Sequence, residues 1–152
     1  MRQDGLRPGV LGLGMTLALA APAWAGLAFV SNEKSNSLTV LDTVAERVVR
    51  SIDVCGRPRD MEWDATGTRI YVACADDSRI GIVDIEAMEM VDAIRFIEEP
   101  EAFAIDAEHR FLYVSNEEDA ALSVVVLATG KVVASFVTGE EPEGVYVGAD
   151  GS

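Results

Sequence analysis

The chain repeats itself every 42 residues, and this repeat constrains the fold more than any other feature of the sequence. At that shift, without gaps, an aromatic residue recurs, followed by Val, a small residue and Asn or Cys. The three copies of this motif cover residues 29–32, 71–74 and 113–116. A proline recurs at the same shift, at Pro58, Pro100 and Pro142. Such self-similarity indicates a stack of similar supersecondary units.

Each copy contains four short runs with the composition of β-strands. In the central part of the chain they cover residues 59–63, 70–74, 80–83 and 91–96. The runs are rich in β-branched and aromatic residues, with a turn at Gly67 and a polar loop at 76–78 between them. No helical period of useful length follows residue 25. We therefore predict an all-β fold, a β-propeller whose blades each contain strands A, B, C and D.

The number of repeats bounds the architecture. The copies cover residues 27–68, 69–110 and 111–152, so the chain holds three four-stranded blade equivalents. Closed propellers have about four to eight blades, and we therefore expect residues 26–152 to be part of a larger propeller. A six-bladed homodimer is the alternative. The run 143–147 is predicted to be strand A of a further blade, and Trp63 is predicted to lie in the core.

The first 25 residues have the composition of a secretory signal peptide. Arg2 and Arg7 precede an uncharged apolar stretch at 10–20, and Ala-Trp-Ala at 23–25 offers a small-x-small cleavage pattern. The stretch is short for a permanent membrane span, although an uncleaved anchor is the alternative. Export would place Cys55 and Cys74 in an oxidising compartment, where they form either a disulfide or two partly buried thiols.

The charge of the chain limits its partners. Asp and Glu number 26 against 12 Lys and Arg, so the formal net charge is −14. An acidic chain without a basic stripe argues against nucleic acid and anionic membrane surfaces. It favours a cationic protein or a small cation, unless the acidity serves only solubility.

The carboxylates are concentrated at one predicted face. Strands alternate in direction, so the B–C and D–A loops emerge together, with Lys34, Arg57 and Arg59 as the few countercharges. Arg59, Glu101 and Glu143 occupy equivalent repeat positions and are predicted to ring the mouth of a central channel, the candidate binding site. A solvated polar rim is the alternative. The carboxylates of these loops are Glu33, Asp76, Asp77, Glu98, Glu99, Glu101, Glu117, Glu118, Asp119, Glu140, Glu141 and Glu143.

No residue set predicts catalysis. His109 is the single histidine, and it falls in a predicted turn on the opposite face. One histidine and two cysteines are too few for a zinc site, and no loop has the spacing of a known calcium motif. We therefore predict no catalytic residues, no metal site and no cofactor.

The motifs at 29–32, 71–74 and 113–116 resemble the Tyr-Val-Thr-Asn signature of the YVTN β-propeller repeat family. The segments 31–34, 56–59, 99–101 and 139–144 resemble the exported propeller proteins associated with PQQ-dependent catabolism. The resemblance implies about seven blades and a periplasmic protein that accompanies quinoprotein alcohol oxidation, and it carries over no catalytic or PQQ-binding residue. The predicted function is an accessory or interaction module. The alternative is a piece of a propeller enzyme or quinoprotein dehydrogenase subunit whose site lies in blades outside this chain.

Overall fold

The computed structural model describes residues 26–148, so the predicted signal peptide lies outside the described residues. Eleven strands follow one another and form three antiparallel sheets. Sheet 1 contains β1 (Leu27–Asn32), β2 (Ser37–Asp42) and β3 (Arg47–Asp53). Sheet 2 contains β4 (Pro58–Trp63), β5 (Arg69–Cys74), β6 (Arg79–Asp84) and β7 (Glu89–Arg95). Sheet 3 contains β8 (Pro100–Ile105), β9 (Phe111–Asn116), β10 (Ala121–Val126) and β11 (Lys131–Val137).

Each sheet is a meander in which consecutive strands pair, and the sheets copy one another in detail. The pairing of the third strand of a repeat with the fourth shifts register once in every sheet. These shifts lie at Val40/Leu41, Ile82/Val83 and Val124/Val125, which are equivalent positions of the repeat. A bulge locally increases the twist of a sheet, so the equivalent bulges give the three sheets a common shape. The predicted strands within residues 27–137 and their 42-residue spacing are therefore confirmed.

The turns between the first and second strands of sheets 2 and 3 are built around equivalent aspartates. Asp64 accepts hydrogen bonds from the Thr68 and Arg69 N–H groups at 2.9 and 3.0 Å. Asp106 does the same for Arg110 and Phe111, at 2.6 and 2.7 Å. These bonds satisfy backbone donors that the turn leaves without a strand partner.

Alternation along the strands divides the core into two layers. Between sheets 1 and 2 lie nine buried residues, Leu38, Val40, Ile52, Cys55, Ile70, Val72, Cys74, Val83 and Ile85. Between sheets 2 and 3 lie Ala73, Ile80, Ile94, Ile97, Phe103, Leu112, Val114 and Val125. Because β5 sends Val72 to one layer and Ala73 to the other, sheet 2 is apolar on both faces.

Two expectations are corrected. Within the described residues, 143–147 is not a strand, because a strand needs a hydrogen-bonded neighbour and this segment pairs with none. Trp63 is 39 % exposed rather than in the core. Its ring meets Phe29 edge to face at 5.6 Å between centroids, beside the edge of β1 that no strand among residues 26–148 covers.

Candidate functional site

Two kinds of loop lie at the same end of the strands, which we call the loop face. One kind joins successive sheets, and the other joins the second strand of each repeat to the third. Ala75 N–H donates to the Arg57 carbonyl at 3.2 Å. One repeat later, Glu117 N–H donates to the Glu99 carbonyl, also at 3.2 Å. These equivalent bonds hold each inter-sheet loop against the following sheet. They bring charged residues from all three sheets together.

Arg57 is the centre of a cluster of ions on the loop face. Its guanidinium lies 3.5 Å from the carboxylate of Glu33, 2.9 Å from that of Glu99 and 3.2 Å from that of Glu117. Burial alone lowers the pKa of Arg57, but the charges of Glu117, Glu99, Glu33 and Asp76 outweigh it and raise that pKa. Arg57 therefore stays charged and neutralises part of the cluster, and we call Arg57, Glu33, Glu99 and Glu117 the Arg57 cluster.

Arg59 and Glu101, two of the predicted site residues, form an ion pair between sheets 2 and 3. The Glu101 side chain is 4 % exposed. Its Oε2 atom is buried and accepts no hydrogen bond from residues 26–148, and the nearest Arg57 nitrogen lies 3.9 Å away. Arg59 also lies 3.5 Å from Glu33. Arg59 therefore links Glu101 to Glu33 of sheet 1.

Glu143, the third predicted site residue, lines the same open cavity as Arg59 and Glu101. This cavity, of about 470 Å³, is called the Glu101 cavity. Sequence reasoning missed Asp60, which also lines it and whose Oδ2 accepts a hydrogen bond from Phe103 N–H of sheet 3 at 3.0 Å. The full lining is Ser31, Glu33, Pro58, Arg59, Asp60, Glu101, Ala102, Glu143, Gly144 and Val145.

A second cavity on the loop face is lined almost wholly by carboxylates. It measures about 460 Å³ and is called the acidic cavity. Glu99 and Glu117 bind Arg57 on one side of it. Glu118, Glu140 and Glu141 make no ion pair with any residue in 26–148. The cavity is lined by Glu99, Glu117, Glu118, Ala120, Glu140 and Glu141.

Cys55 and Cys74 are joined by a disulfide, with 5.7 Å between their Cα atoms. Cys55 lies in the loop after β3, and Cys74 ends β5, so the bond connects sheet 1 to sheet 2. Both residues are buried. Cys55 precedes Arg57 by two residues, and Cys74 precedes Ala75, whose N–H donates to the Arg57 carbonyl. Of the two alternatives that the sequence left open, the structure has the disulfide.

The described part of the chain holds no group of three or more His, Cys, Asp or Glu side chains arranged to bind a metal ion. His109 is exposed in the turn between β8 and β9, at the end of the strands opposite the loop face. Its backbone has a φ of +52°, and its N–H donates to the Asp106 carbonyl at 2.8 Å. Among residues 26–148, no helix has the length and apolarity to cross a membrane.

Comparison with known proteins bears on the fold. No protein-family model matches the chain, and no curated protein sequence matches it. Among solved structures, the chain is similar to hydrazine synthase of Kuenenia stuttgartiensis, with a TM-score of 0.73 and 22 % identity. The three sheets are propeller-like blades. The match covers 83 % of this chain and 37 % of that chain, and at this identity the likeness shows the fold alone.

Proposed function

We propose that the protein is a non-enzymatic interaction module whose loop face binds a cationic partner protein. The observation that carries the proposal is the acidic cavity, where Glu118, Glu140 and Glu141 lie together without a cation among the described residues. Repulsion between carboxylates at one concave surface is relieved when a Lys or Arg side chain of a partner enters it. A negative field focused by a concave surface also raises the rate of encounter with a cationic protein.

The arrangement of the cations supports this choice of partner. Arg57 and Arg59 are both engaged by carboxylates, and Arg59 lines the Glu101 cavity. They compensate Glu33, Glu99, Glu101 and Glu117, and they leave the far sides of both cavities negative. An anionic partner would meet repulsion there.

The finer proposal concerns location and context. The composition of residues 1–25 and the resemblance of the repeat motifs to the YVTN family support an exported, periplasmic protein that accompanies PQQ-dependent alcohol oxidation. In that setting the partner is a basic periplasmic protein, such as an electron-transfer protein. The second candidate is an enzyme whose catalytic residues lie in other blades. It rests on the match to hydrazine synthase, which covers only 37 % of that chain.

Titration of a fluorescein-labelled octa-lysine peptide tests the proposed face. We expect binding that weakens steeply between about 0.02 and about 0.2 M salt, because exposed charges are screened. The triple variant Glu118→Gln/Glu140→Gln/Glu141→Gln is expected to bind about tenfold more weakly. The matched control Glu86→Gln/Glu89→Gln/Glu108→Gln removes the same charge near the turns at the other end of the strands. Equal loss in both variants would show that net charge alone, rather than the loop face, attracts the peptide.

A pull-down from a periplasmic extract then seeks the partner itself. The immobilised chain is compared with the immobilised triple variant, and specifically bound proteins are identified by mass. A basic protein retained by the wild type and lost with the triple variant supports the interaction module. A bound quinone or haem chromophore in the purified chain would instead favour the enzyme.

A further inference from the structure

In sheet 1 and in sheet 3, an asparagine ends the second strand of the repeat. Its side chain is hydrogen-bonded to a hydroxyl on the third strand of the same sheet. In sheet 3, Asn116 Oδ1 accepts a hydrogen bond from the Ser123 hydroxyl at 2.7 Å. Its Nδ2 donates to the carbonyl of Glu98 in the loop before that sheet, at 2.5 Å. In sheet 1, Asn32 Nδ2 donates to the Thr39 hydroxyl at 2.8 Å. The asparagine therefore holds a hydroxyl on the next strand and, in sheet 3, the inter-sheet loop.

Sheet 2 departs from this arrangement at both positions. Cys74 stands where the other repeats have Asn, and Gly81 stands where they have Thr39 and Ser123. A Cβ atom on Gly81 would lie 3.2 Å from Cys74 Sγ and 2.9 Å from Met90 Sδ. A hydroxyl-bearing residue at this position would thus crowd the disulfide and find no amide to bond. The cysteine at position 74 and the glycine at position 81 are therefore structurally coupled.

The disulfide replaces the lost amide bond to the inter-sheet loop. Cys55 is the repeat equivalent of Ile97, next to Glu98, whose carbonyl Asn116 holds in sheet 3. The same loop is held by the Gly56 N–H bond to Asp77 Oδ2, at 3.2 Å, and by the bond from Ala75 N–H to Arg57. Arg57 itself has a φ of +51°, a conformation that a non-glycine residue adopts at a cost. The equivalent residues Glu99 and Glu141 also have positive φ, at +31° and +51°, so the conformation belongs to the repeat, and the disulfide restrains the loop that carries it in sheet 2.

We infer that the Cys55–Cys74 disulfide is an inter-sheet staple that positions Arg57 within its cluster, with Gly81 as the residue that makes room for it. Reduction by a small dithiol, such as dithiothreitol, converts the disulfide to two thiols while the dithiol becomes a cyclic disulfide. The loop 54–57 then loses its covalent tie to β5. The consequence for cation binding rests on the proposed function, but the positioning of Arg57 does not.

Amide hydrogen exchange tests the staple without any ligand. Reduction is expected to speed exchange of the Ala75 amide, which donates to the Arg57 carbonyl, at least about tenfold. The Glu117 amide makes the equivalent bond one repeat later and serves as an internal control, expected to change less than about twofold. Equal acceleration at both amides would indicate general loosening, and no acceleration at Ala75 would overturn the inference.

A substitution series distinguishes the staple from a merely buried pair of sulfurs. C55S/C74S removes the tie and is expected to reproduce the effect of reduction on the Ala75 amide. The variant C55S/C74N/G81S/M90V carries at positions 74, 81 and 90 the residues that sheet 3 has at the equivalent positions. The introduced asparagine side chain can then donate a hydrogen bond to the Gly56 carbonyl, as Asn116 does to the Glu98 carbonyl. We expect Ala75 exchange to return to within about threefold of the oxidised wild type. If Ala75 exchange stays fast in this variant while the Glu117 amide remains protected, an asparagine hydrogen bond does not replace the disulfide in holding the loop.

Binding of the octa-lysine peptide is then compared in the oxidised and reduced protein. With Arg57 released, its charge competes less with the peptide, and we expect affinity to rise about threefold. If the peptide binds neither form while Ala75 exchange responds to reduction, the proposed function fails and the staple stands. If the peptide binds and Ala75 exchange is unmoved, the staple fails and the proposed function stands.

Discussion

Glu99 lies one full repeat after Arg57, and its carboxylate accepts a hydrogen bond from the Arg57 guanidinium at 2.9 Å. The same relationship joins Arg59 to Glu101. Equivalent positions of successive repeats thus lie side by side on the loop face, so a change of charge from one repeat to the next creates an ion pair. Where the next repeat again carries Glu, at Glu141 and Glu143, the same positions add only negative charge to the two cavities.

The Arg57 cluster gives the first prediction. Arg57→Gln is expected to lower the free energy of unfolding by about 1 kcal/mol, since it leaves Glu99 and Glu117 without their cation at a partly exposed site. Urea unfolding measures the effect. Arg110→Gln removes an exposed arginine with pairs at 3.5 and 3.6 Å and is expected to cost less than about 0.5 kcal/mol. Similar losses in the two variants would contradict the special role of Arg57.

Asp106 predicts an acid-sensitive contribution to stability. Burial raises the pKa of its carboxyl, but hydrogen bonds from Phe111 and Arg110 and the charge of Arg110 outweigh burial, so that pKa lies below the ordinary 3.8. A depressed folded-state pKa stabilises the protein above the unfolded value and loses that contribution as pH falls through the folded one.

Unfolding measured from about pH 5 to about pH 2 checks this sign. Stability of the wild type is expected to fall below about pH 4, and Asp106→Asn is expected to fall less over that range. At neutral pH the variant is expected to be less stable by about 1 kcal/mol, because the bonds to the carboxylate are charge-assisted. Parallel pH curves for wild type and variant would contradict the prediction.

His109 and Gly67 occupy equivalent turn positions, and both have positive φ, at +52° and +67°. His109→Gly is expected to stabilise the protein by about 0.5–1 kcal/mol, because glycine adopts this conformation without a steric cost. Gly67→Ala is expected to destabilise it by a similar amount. Thermal unfolding of both variants measures these effects, and a destabilised His109→Gly would show that the exposed imidazole makes a contact worth more than the backbone strain.

Phe103 tests the layer between sheets 2 and 3. It is 2 % exposed, and Phe103→Ala is expected to cost about 3–5 kcal/mol through lost burial and a cavity. Phe136 on β11 is 57 % exposed, and Phe136→Ala is expected to cost less than about 1 kcal/mol. Equal losses at the two sites would mean that sheet 3 buries its outer face in solution.

Part of the candidate site could be predicted from the repeat alone. Equivalent numbering brings Arg59, Glu101 and Glu143 to one surface, and the alternating strand direction places Cys55 and Cys74 at the same face. The same numbering links Arg57 to Glu99, but charge counting alone makes Arg57 only one of the countercharges of that face. Asp60 gave no such signal, because its bond to the Phe103 N–H depends on how closely β4 and β8 approach.

The strands, their antiparallel order and the repeated turns follow from local sequence, because alternation, β-branched composition and turn residues act over a few neighbouring positions. The disulfide, the burial of Glu101 and the exposure of Trp63 depend instead on distances between sheets, which tertiary packing sets. Tertiary packing also leaves 143–147 without a strand partner among the described residues, despite its strand-like composition. Strand composition is local, whereas a strand exists only where a neighbouring edge accepts its hydrogen bonds.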